Sequence, residues 1–377
     1  RAAVARGAGS KKSSLRQRAR FISRAAQTWR APIVPTPPAA PPERVIRAAT
    51  MSYGPLQIIF DVFGSIYSWL ASLCCAVTCT TSTIKVNERS LKVVKLLAEG
   101  GFSFVYLVEE KGSKYALKKV LAQLEEQSAL AKWEIEVHKA FKHKNLMPLL
   151  DSCAAPTANG AEEFRLLMPL YPNGTLLDRC VAKMEKGERL PERTILTIFE
   201  QILQGVRQFH EHSPPWAHRD IKPANVLLGD DDTPVLMDFG SATTARRKIS
   251  TRTEALLLQE DAAQNCSMPY RAPELFDVPS DATIDERTDI FSLGATLYAM
   301  GFYYSPFECT YQDATQRVVE CSYLRVIGGA QFPPDKAGYS DALIEMINWM
   351  LTVDPRKRPF VADVHARCVQ LVAGAAA

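Results

Sequence analysis

His218-Arg219-Asp220-Ile221-Lys222-Pro223-Ala224-Asn225 is followed, thirteen residues after Asn225, by Asp238-Phe239-Gly240. Between the two runs, Val226-Leu227-Leu228 and Val235-Leu236-Met237 read as short apolar strands joined by the acidic turn Gly229-Asp230-Asp231-Asp232-Thr233-Pro234. His-Arg-Asp or Asp-Phe-Gly alone is an ordinary loop accident in a chain of 377 residues. In this order and at this spacing they form a combination too specific to be two separate accidents.

The pair of motifs resembles the eukaryotic-type protein kinases, whose catalytic loop reads H-R-D-x-x-x-x-N ahead of D-F-G. The resemblance implies that Asp220 accepts the proton of a substrate hydroxyl, while Asn225 and Asp238 hold Mg²⁺ against the phosphates of ATP. It also implies an α+β, bilobal protein-kinase fold, with a small β-rich N-lobe over 89–168, a larger α-helical C-lobe over 169–371, and ATP bound between them. Tyr115-Ala116-Leu117-Lys118 fits the V-A-I-K strand, which makes Lys118 the phosphate-binding lysine and sets Ala116 in the nucleotide site. Lys119 points to the opposite face of that strand. The expected partner of Lys118 is Glu134, nine residues before His143 in Lys142-His143-Lys144-Asn145-Leu146, which resembles the family's H-P-N-I turn. Glu136 is the alternative, but two residues along a helix it faces another way.

Aligned on Val105 and Lys118, the family's G-x-G-x-x-G falls on Ala98-Glu99-Gly100-Gly101-Phe102-Ser103, so only the middle glycine keeps its position. Glycines there let backbone amides approach phosphate closely and permit positive φ. Ala98, Gly100, Gly101 and Ser103 remain the expected phosphate-contacting backbone. For the adenine, the stretch from Arg165 to Thr175 ends an apolar strand in a turn, where the family places its hinge. Met168 is then the gatekeeper, and the resemblance assigns adenine bonding to the carbonyl of Pro169 and the amide of Tyr171. Proline lacks an N–H, but only its carbonyl is needed. Val105 and Leu227 complete the expected nucleotide contacts.

Ala272-Pro273-Glu274 closes the activation segment, and Arg358 is placed to pair with Glu274. Asp289 resembles the buried helix aspartate that receives backbone amides of the catalytic loop. Lys222, two residues after Asp220, is the serine/threonine form of that loop, and Ser267 sits where such kinases keep a Ser or Thr that bonds the catalytic aspartate. Arg219 marks the type of kinase in which an arginine receives a phosphorylated activation segment, for which Ser250, Thr251, Thr253 and Ser267 are candidates. Within that segment, 253–264 holds strong helix formers without Gly or Pro and an apolar stripe at 255, 258 and 262, which predicts an inserted helix.

Several runs are similar to the Numb-associated kinase family, and within it to a myristoylated and palmitoylated branch. They are Gly100-Gly101-Phe102-Ser103, Met237-Asp238-Phe239-Gly240-Ser241, Ala262-Ala263-Gln264-Asn265-Cys266 and Ile284-Asp285-Glu286-Arg287-Thr288-Asp289. The likeness covers about 89–371 and implies a constitutively active kinase at the cytosolic face of Golgi and secretory-pathway membranes, with the cytoplasm as the alternative. Members begin Met-Gly, whereas here Met51 is followed by Ser52, so N-myristoylation is not supported. Residues 51–88 form a hydrophobic, Cys-containing segment. Leu56, Ile59, Phe60, Phe63, Tyr67, Leu70 and Leu73 share one helical face, and Cys74, Cys75 and Cys79 follow as candidate palmitoylation sites. Contact with a membrane through 56–79 is the expectation. A spanning helix over the uncharged run 62–84 and a helix packed on the kinase body are the alternatives.

The net charge of +4 conceals an asymmetry, since residues 1–50 carry eleven Lys or Arg against Glu43 alone, leaving 34 basic against 40 acidic side chains in the remainder. A nucleic-acid partner for the body is thereby excluded. The acid-poor, Pro-rich stretch 1–50 is expected to be disordered. It reads as a transit peptide or as an extension ahead of a true start at Met51, and the second is favoured. The nine cysteines are odd in number and lack C-x-x-C spacing, which suggests reduced thiols. Protein Ser and Thr side chains are the expected substrates, with the oligomeric state open. A kinase-like scaffold with little or no catalysis is the competing class, supported by the eroded glycine run. A small-molecule kinase is disfavoured by the Ala-Pro-Glu segment and Lys222.

Overall fold

The computed structural model describes residues 82–100, 102–157, 160–307, 309–311 and 318–374. The amphipathic stretch, Cys74, Cys75 and Cys79 lie outside those residues, as does the chain over 1–50. Among the described residues no helix is long and apolar enough to cross a membrane.

The first part of the chain builds a six-stranded antiparallel sheet, in the order β1-β2-β3-β4-β6-β5. The strands are β1 (Thr83–Val86), β2 (Arg89–Glu99), β3 (Ser103–Glu110), β4 (Ser113–Ala122), β5 (Asp151–Pro156) and β6 (Glu162–Pro169). Since β1 pairs with the start of β2, the described part of the lobe extends to Thr83, upstream of the boundary at Arg89 drawn from sequence. Alternation divides the sheet into two faces. One face carries the small core of Val86, Leu91, Val108, Leu117 and Leu167. The other carries Phe164, Leu166 and Ala122, and α1 (Glu125–Ala140) lies across it with Ala131 and Ile135. The helix starts where the Gln127 side chain accepts the N–H groups of Gln123 and Leu124, at 2.8 and 3.2 Å. Glu125 and Glu126 sit in its first turn and His138 and Lys139 in its last, the arrangement that suits the helix dipole.

After β6 the chain is mainly helical. Helices α2 (Leu176–Lys186) and α3 (Glu192–His210) lead into the short strand β7 (Trp216–Ala217) and the hairpin of β8 (Val226–Leu228) and β9 (Pro234–Leu236). The hairpin matches the two apolar runs and acidic turn read from the sequence. Strand β10 (Thr243–Thr244) returns to pair with β7, and β11 (Arg247–Ile249) later pairs with β12 (Ala282–Ile284). Between β11 and β12 lies the inserted helix, α4 (Arg252–Asn265), which buries Ala255, Leu258 and Ala262, the stripe expected from sequence. Its start is a reciprocal cap in which Thr251 Oγ1 accepts the Glu254 N–H at 3.2 Å and the Glu254 carboxylate accepts the Thr251 N–H at 3.3 Å.

Helix α5 (Arg287–Phe302) is buried almost throughout and forms the axis of this lobe. Helices α6 (Tyr323–Ile327), α7 (Asp341–Met350) and α8 (Val361–Gly374) complete it, and the core runs continuously from Val137 and Phe141 at the end of α1 to Cys368. The architecture is the two-lobed α+β arrangement that the motifs imply. The end of the activation segment is fastened to the helical lobe by Arg358, whose Nη1 and Nη2 donate to the two oxygens of Glu274 at 2.8 and 3.0 Å. Both side chains are buried, at 0 and 5 % exposure, and the guanidinium also lies 5.1 Å from the Phe291 ring centroid.

A buried carboxylate left without its guanidinium is costly to fold around. Arg358→Ala is therefore expected to destabilise the chain by about 3–5 kcal/mol, read as a lower midpoint in urea unfolding. A loss under about 1 kcal/mol, the range of exposed ion pairs, would show that the pair does not fasten the segment.

Candidate active site

Register brings the nucleotide candidates together on the sheet face that looks toward the helical lobe. Val105 is paired with Lys118 and Leu107 with Ala116, while Ala116 pairs with Met168 and Lys118 with Leu166. Directly paired residues share a face, and so do residues two apart along a strand, so Val105, Ala116, Lys118 and Met168 all lie on one side. Lys119 takes the other side and pairs with Glu163 at 2.8 Å. Strand β6 ends at Pro169, with Tyr171 half-buried just beyond. Leu227, in the helical lobe, meets Thr175 of the same lobe in an antiparallel bridge.

Lys118 Nζ lies 2.6 Å from Glu134 Oε1 and 3.4 Å from Asp238 Oδ1. Lys118 and Glu134 are both buried, at 9 and 6 % exposure, so the charge pair is shielded from water. Glu136 instead lies on the surface and bonds Lys139 at 3.0 Å.

The glycine-poor loop closes without strain at its substituted positions. Ala98 lies in β2 paired with Val105, and Ser103 lies in β3 paired with Val120, so both hold ordinary extended backbone. Gly100 N–H donates to the Ser103 carbonyl at 2.7 Å, and the Phe102 carbonyl accepts the Leu121 N–H at 2.9 Å. Gly101 lies outside the described residues.

Asp220 is reached from three directions. Lys222 Nζ donates to Oδ2 at 2.6 Å and Asn225 Nδ2 donates to the same oxygen at 2.9 Å. The Ser267 N–H donates to Oδ1 at 3.0 Å. Sequence reasoning expected a bond between Ser267 and this aspartate. The structure gives that contact to its backbone, while its hydroxyl accepts from Lys222 Nζ at 2.7 Å. With its Nδ2 engaged by Asp220, Asn225 keeps its amide oxygen as an acceptor.

Asp289 fixes the loop from beneath. Its Oδ2 accepts the His218 N–H at 2.7 Å and its Oδ1 accepts the Arg219 N–H at 2.9 Å, with His210 Nε2 at 3.0 Å from Oδ2. Burial alone would push this carboxyl up, but the bonds from His210 and the loop outweigh it and hold it below the usual carboxylate range. Arg219 and Asp238 both take the left-handed backbone region, at φ 71° and 67°. Such strain, on the order of 1 kcal/mol each, persists only where the surroundings impose it. At Asp238 the imposing contacts are around Phe239, which is fully buried among His138, Phe209 and His218 at ring separations of 4.5, 5.4 and 5.8 Å. The Met237 carbonyl, one residue earlier, lies 3.2 Å from His218 Nε2.

Two groups near the site were not singled out from the sequence. Trp133 precedes Glu134, stacks on Trp216 at 4.9 Å, and donates its indole N–H to the Ala242 carbonyl at 2.7 Å. Its signal in the sequence is only adjacency, one residue before Glu134 and, in Trp216, two before His218. Nor did the sequence single out His138, whose Nδ1 lies 3.1 Å from the Met147 carbonyl.

A protein kinase domain model matches residues 91–367. The chain is 38 % identical over 285 residues to serine/threonine-protein kinase 16 of Homo sapiens, covering 75 % of this chain and 90 % of that protein. It is 37 % identical over 285 residues to the Mus musculus protein of the same name, with the same coverage. Serine/threonine-protein kinase ppk13 of Schizosaccharomyces pombe is 32 % identical over 317 residues, again across 75 % of this chain and 90 % of the relative.

Burial pushes the imidazoles of His138 and His218 below their ordinary value. As pH falls below about 6.5 the unfolded chain takes up these protons before the folded chain does, so stability drops. Above that value the two states carry the same charge at these rings and the contribution vanishes. The unfolding free energy is thus expected to fall between pH 7 and pH 5.5, by up to about 1.4 kcal/mol per pH unit for each ring. Urea titrations across that range check it, and a flat profile would mean the buried rings charge freely.

Proposed function

The chain belongs to the protein kinase family as a serine/threonine protein kinase, and on that premise we propose that it transfers the γ-phosphoryl group of Mg-ATP to protein Ser and Thr hydroxyls, its own activation segment included. The observation that carries this reading is the convergence on one cleft of Lys118 paired to Glu134, Asp238 within 3.4 Å of that lysine, and Asp220 bonded by both Lys222 and Asn225.

The residues present fit the nucleotide and the ion. Asp238 and Asn225 offer a carboxylate and an amide oxygen, hard donors of the kind Mg²⁺ takes alongside phosphates. Lys118 offers a cation held in place by Glu134, and the strand face from Val105 to Met168 offers an apolar wall for a base. Mg-ATP, when bound, supplies the phosphoryl group and the charge compensation for its transfer. Asp220 receives the substrate hydroxyl proton as the new oxygen–phosphorus bond forms and the bond to the leaving oxygen breaks. Lys222, joined to both Asp220 and Ser267, steadies the acceptor side of the same step.

Autophosphorylation is supported by exposure and by a buried cation. Ser250, Thr251 and Thr253 are exposed ahead of and within the first turn of α4, whereas Ser267 is buried and engaged by Lys222. Arg219 is 4 % exposed, and its Nε and Nη1 lack a hydrogen-bond partner among the described residues. Phosphate is the kind of group that satisfies a buried guanidinium. The proposal extends to attachment at the cytosolic face of secretory-pathway membranes through 56–79, supported by the helical spacing of apolar residues in the sequence up to Leu73 and by Cys74, Cys75 and Cys79 after it.

With labelled ATP and Mg²⁺, wild-type protein is expected to label itself and a generic protein substrate on Ser and Thr. Asp220→Asn should slow transfer by about 10²–10⁴-fold, the usual share of a general base. Folded wild-type protein that binds nucleotide but transfers nothing would leave a scaffold as the function. In cells, thioester-linked acyl label should disappear when Cys74, Cys75 and Cys79 are changed together to Ser, and its persistence would refute attachment through these thiols.

A further inference from the structure

Glu134 can serve Lys118 only while α1 keeps one rotation about its axis. Successive side chains on a helix diverge by about 100°, so Trp133 faces away from the sheet just as Glu134 faces Lys118. Trp133 lands on the helical lobe. Its indole lies nearly parallel to that of Trp216, at 4.9 Å and 7°, and its N–H reaches the Ala242 carbonyl at 2.7 Å. Both contacts fall on segments that carry the machinery, one on a side chain and one on a main-chain carbonyl. Trp216 starts the strand that runs directly into His218, and Ala242 stands four residues beyond Asp238. The two segments are in turn joined, since Thr244 pairs with Trp216 and Thr243 with Ala217. Trp216 is itself wedged edge-on by Phe141, the residue that ends α1, at 5.4 Å.

We propose that Trp133 is a positioning residue for phosphoryl transfer: stacked on Trp216 and bonded to Ala242, it locks the rotation of α1 that sets Glu134 against Lys118. Turning the helix far enough to withdraw Glu134 must first pull the indole off Trp216 and break its bond to Ala242. The latch consists of apolar area and one hydrogen bond to a main-chain carbonyl, so it carries no charge to be gained or lost by modification. The inference rests on the kinase reading above, and deepens it by naming what holds the pair.

The test compares full-length wild type with Trp133→Ala, Trp133→Phe, Glu134→Gln and the double variant Trp133→Ala/Glu134→Gln, using protein-substrate kinetics and amide hydrogen exchange. Trp133→Ala is expected to lower kcat about tenfold, the scale of one aromatic stack and one hydrogen bond, with KM for the protein substrate unchanged. Trp133→Phe keeps a ring on Trp216 and should lose about threefold. In the Glu134→Gln background, removing the indole should cost less than about twofold, because a residue that acts through Glu134 has nothing left to position. Amides of α1 should exchange faster in Trp133→Ala while those of α5 keep their protection. An unchanged kcat, a full additive loss in the double variant, or unchanged exchange in α1 would each overturn the proposal. If wild type transfers no phosphate the kinase reading falls, and the exchange of α1 alone then decides whether the latch exists.

Discussion

A carboxylate with no solvent exposure has to be satisfied by the protein, and at Asp289 the groups that satisfy it are the His210 ring and the backbone amides of His218 and Arg219. The cost of burying that charge is what shapes the catalytic loop. With both oxygens committed, the loop cannot leave α5 without stranding an ion in the core, and Arg219 accepts a left-handed backbone in return. Asp220 inherits its position from this arrangement. The bonds from Lys222, Asn225 and the Ser267 N–H then choose its rotamer, so the acceptor end of the cleft is set by rigid parts on every side.

The sheet lobe is attached to this frame by apolar contacts, with Val137, Phe141, Leu146, Met147 and Met168 joining the helical lobe's core, and by a few polar ones. Lys118 bridges Glu134 and Asp238, His138 touches the Met147 carbonyl and the Phe239 ring, and Trp133 reaches Trp216 and Ala242. These last contacts run through α1 or the residue it serves. The lobe's own core, Val86, Leu91, Val108, Leu117 and Leu167, lies on the far face of the sheet and contributes nothing across the cleft. Geometry at the phosphate end of the site is accordingly decided by the orientation of one helix of 16 residues.

The chemistry-bearing residues were legible because their roles demand a residue type at a fixed separation along one element. Lys118 and Glu134 followed from likeness to the kinase V-A-I-K strand and H-P-N-I turn, with strand alternation and helical direction sending Lys119 and Glu136 to other faces, and a helix over 253–264, found at 252–265, from a stripe of three residues without a breaker. What escaped were contacts made by backbone or by side chains far apart in sequence. The bond between Ser267 and Asp220 was expected, but not that it comes from an amide, which every residue possesses. The stack of Trp133 on Trp216 joins residues 83 positions apart, and nothing periodic links them. The strand from Thr83 was missed for a similar reason, since β1 is short and becomes a strand only through its register with β2.

The substituted glycine run illustrates how a motif can lose letters while keeping its physics. Glycine is indispensable where φ is positive or where a Cβ would collide. Ala98 and Ser103 meet neither condition, because each continues a paired strand with its side chain in an ordinary position. The turn between them is closed by the Gly100 N–H on the Ser103 carbonyl, and the approach to β4 by the Leu121 N–H on the Phe102 carbonyl, four backbone groups that no side chain supplies. The backbone that would cradle phosphate is thus shaped by the sheet's own ladder. A departure from the family pattern at positions 98 and 103 is therefore weak ground for a non-catalytic scaffold, and the intact charges of Lys118, Glu134, Asp220 and Asp238, with the amide of Asn225, weigh more.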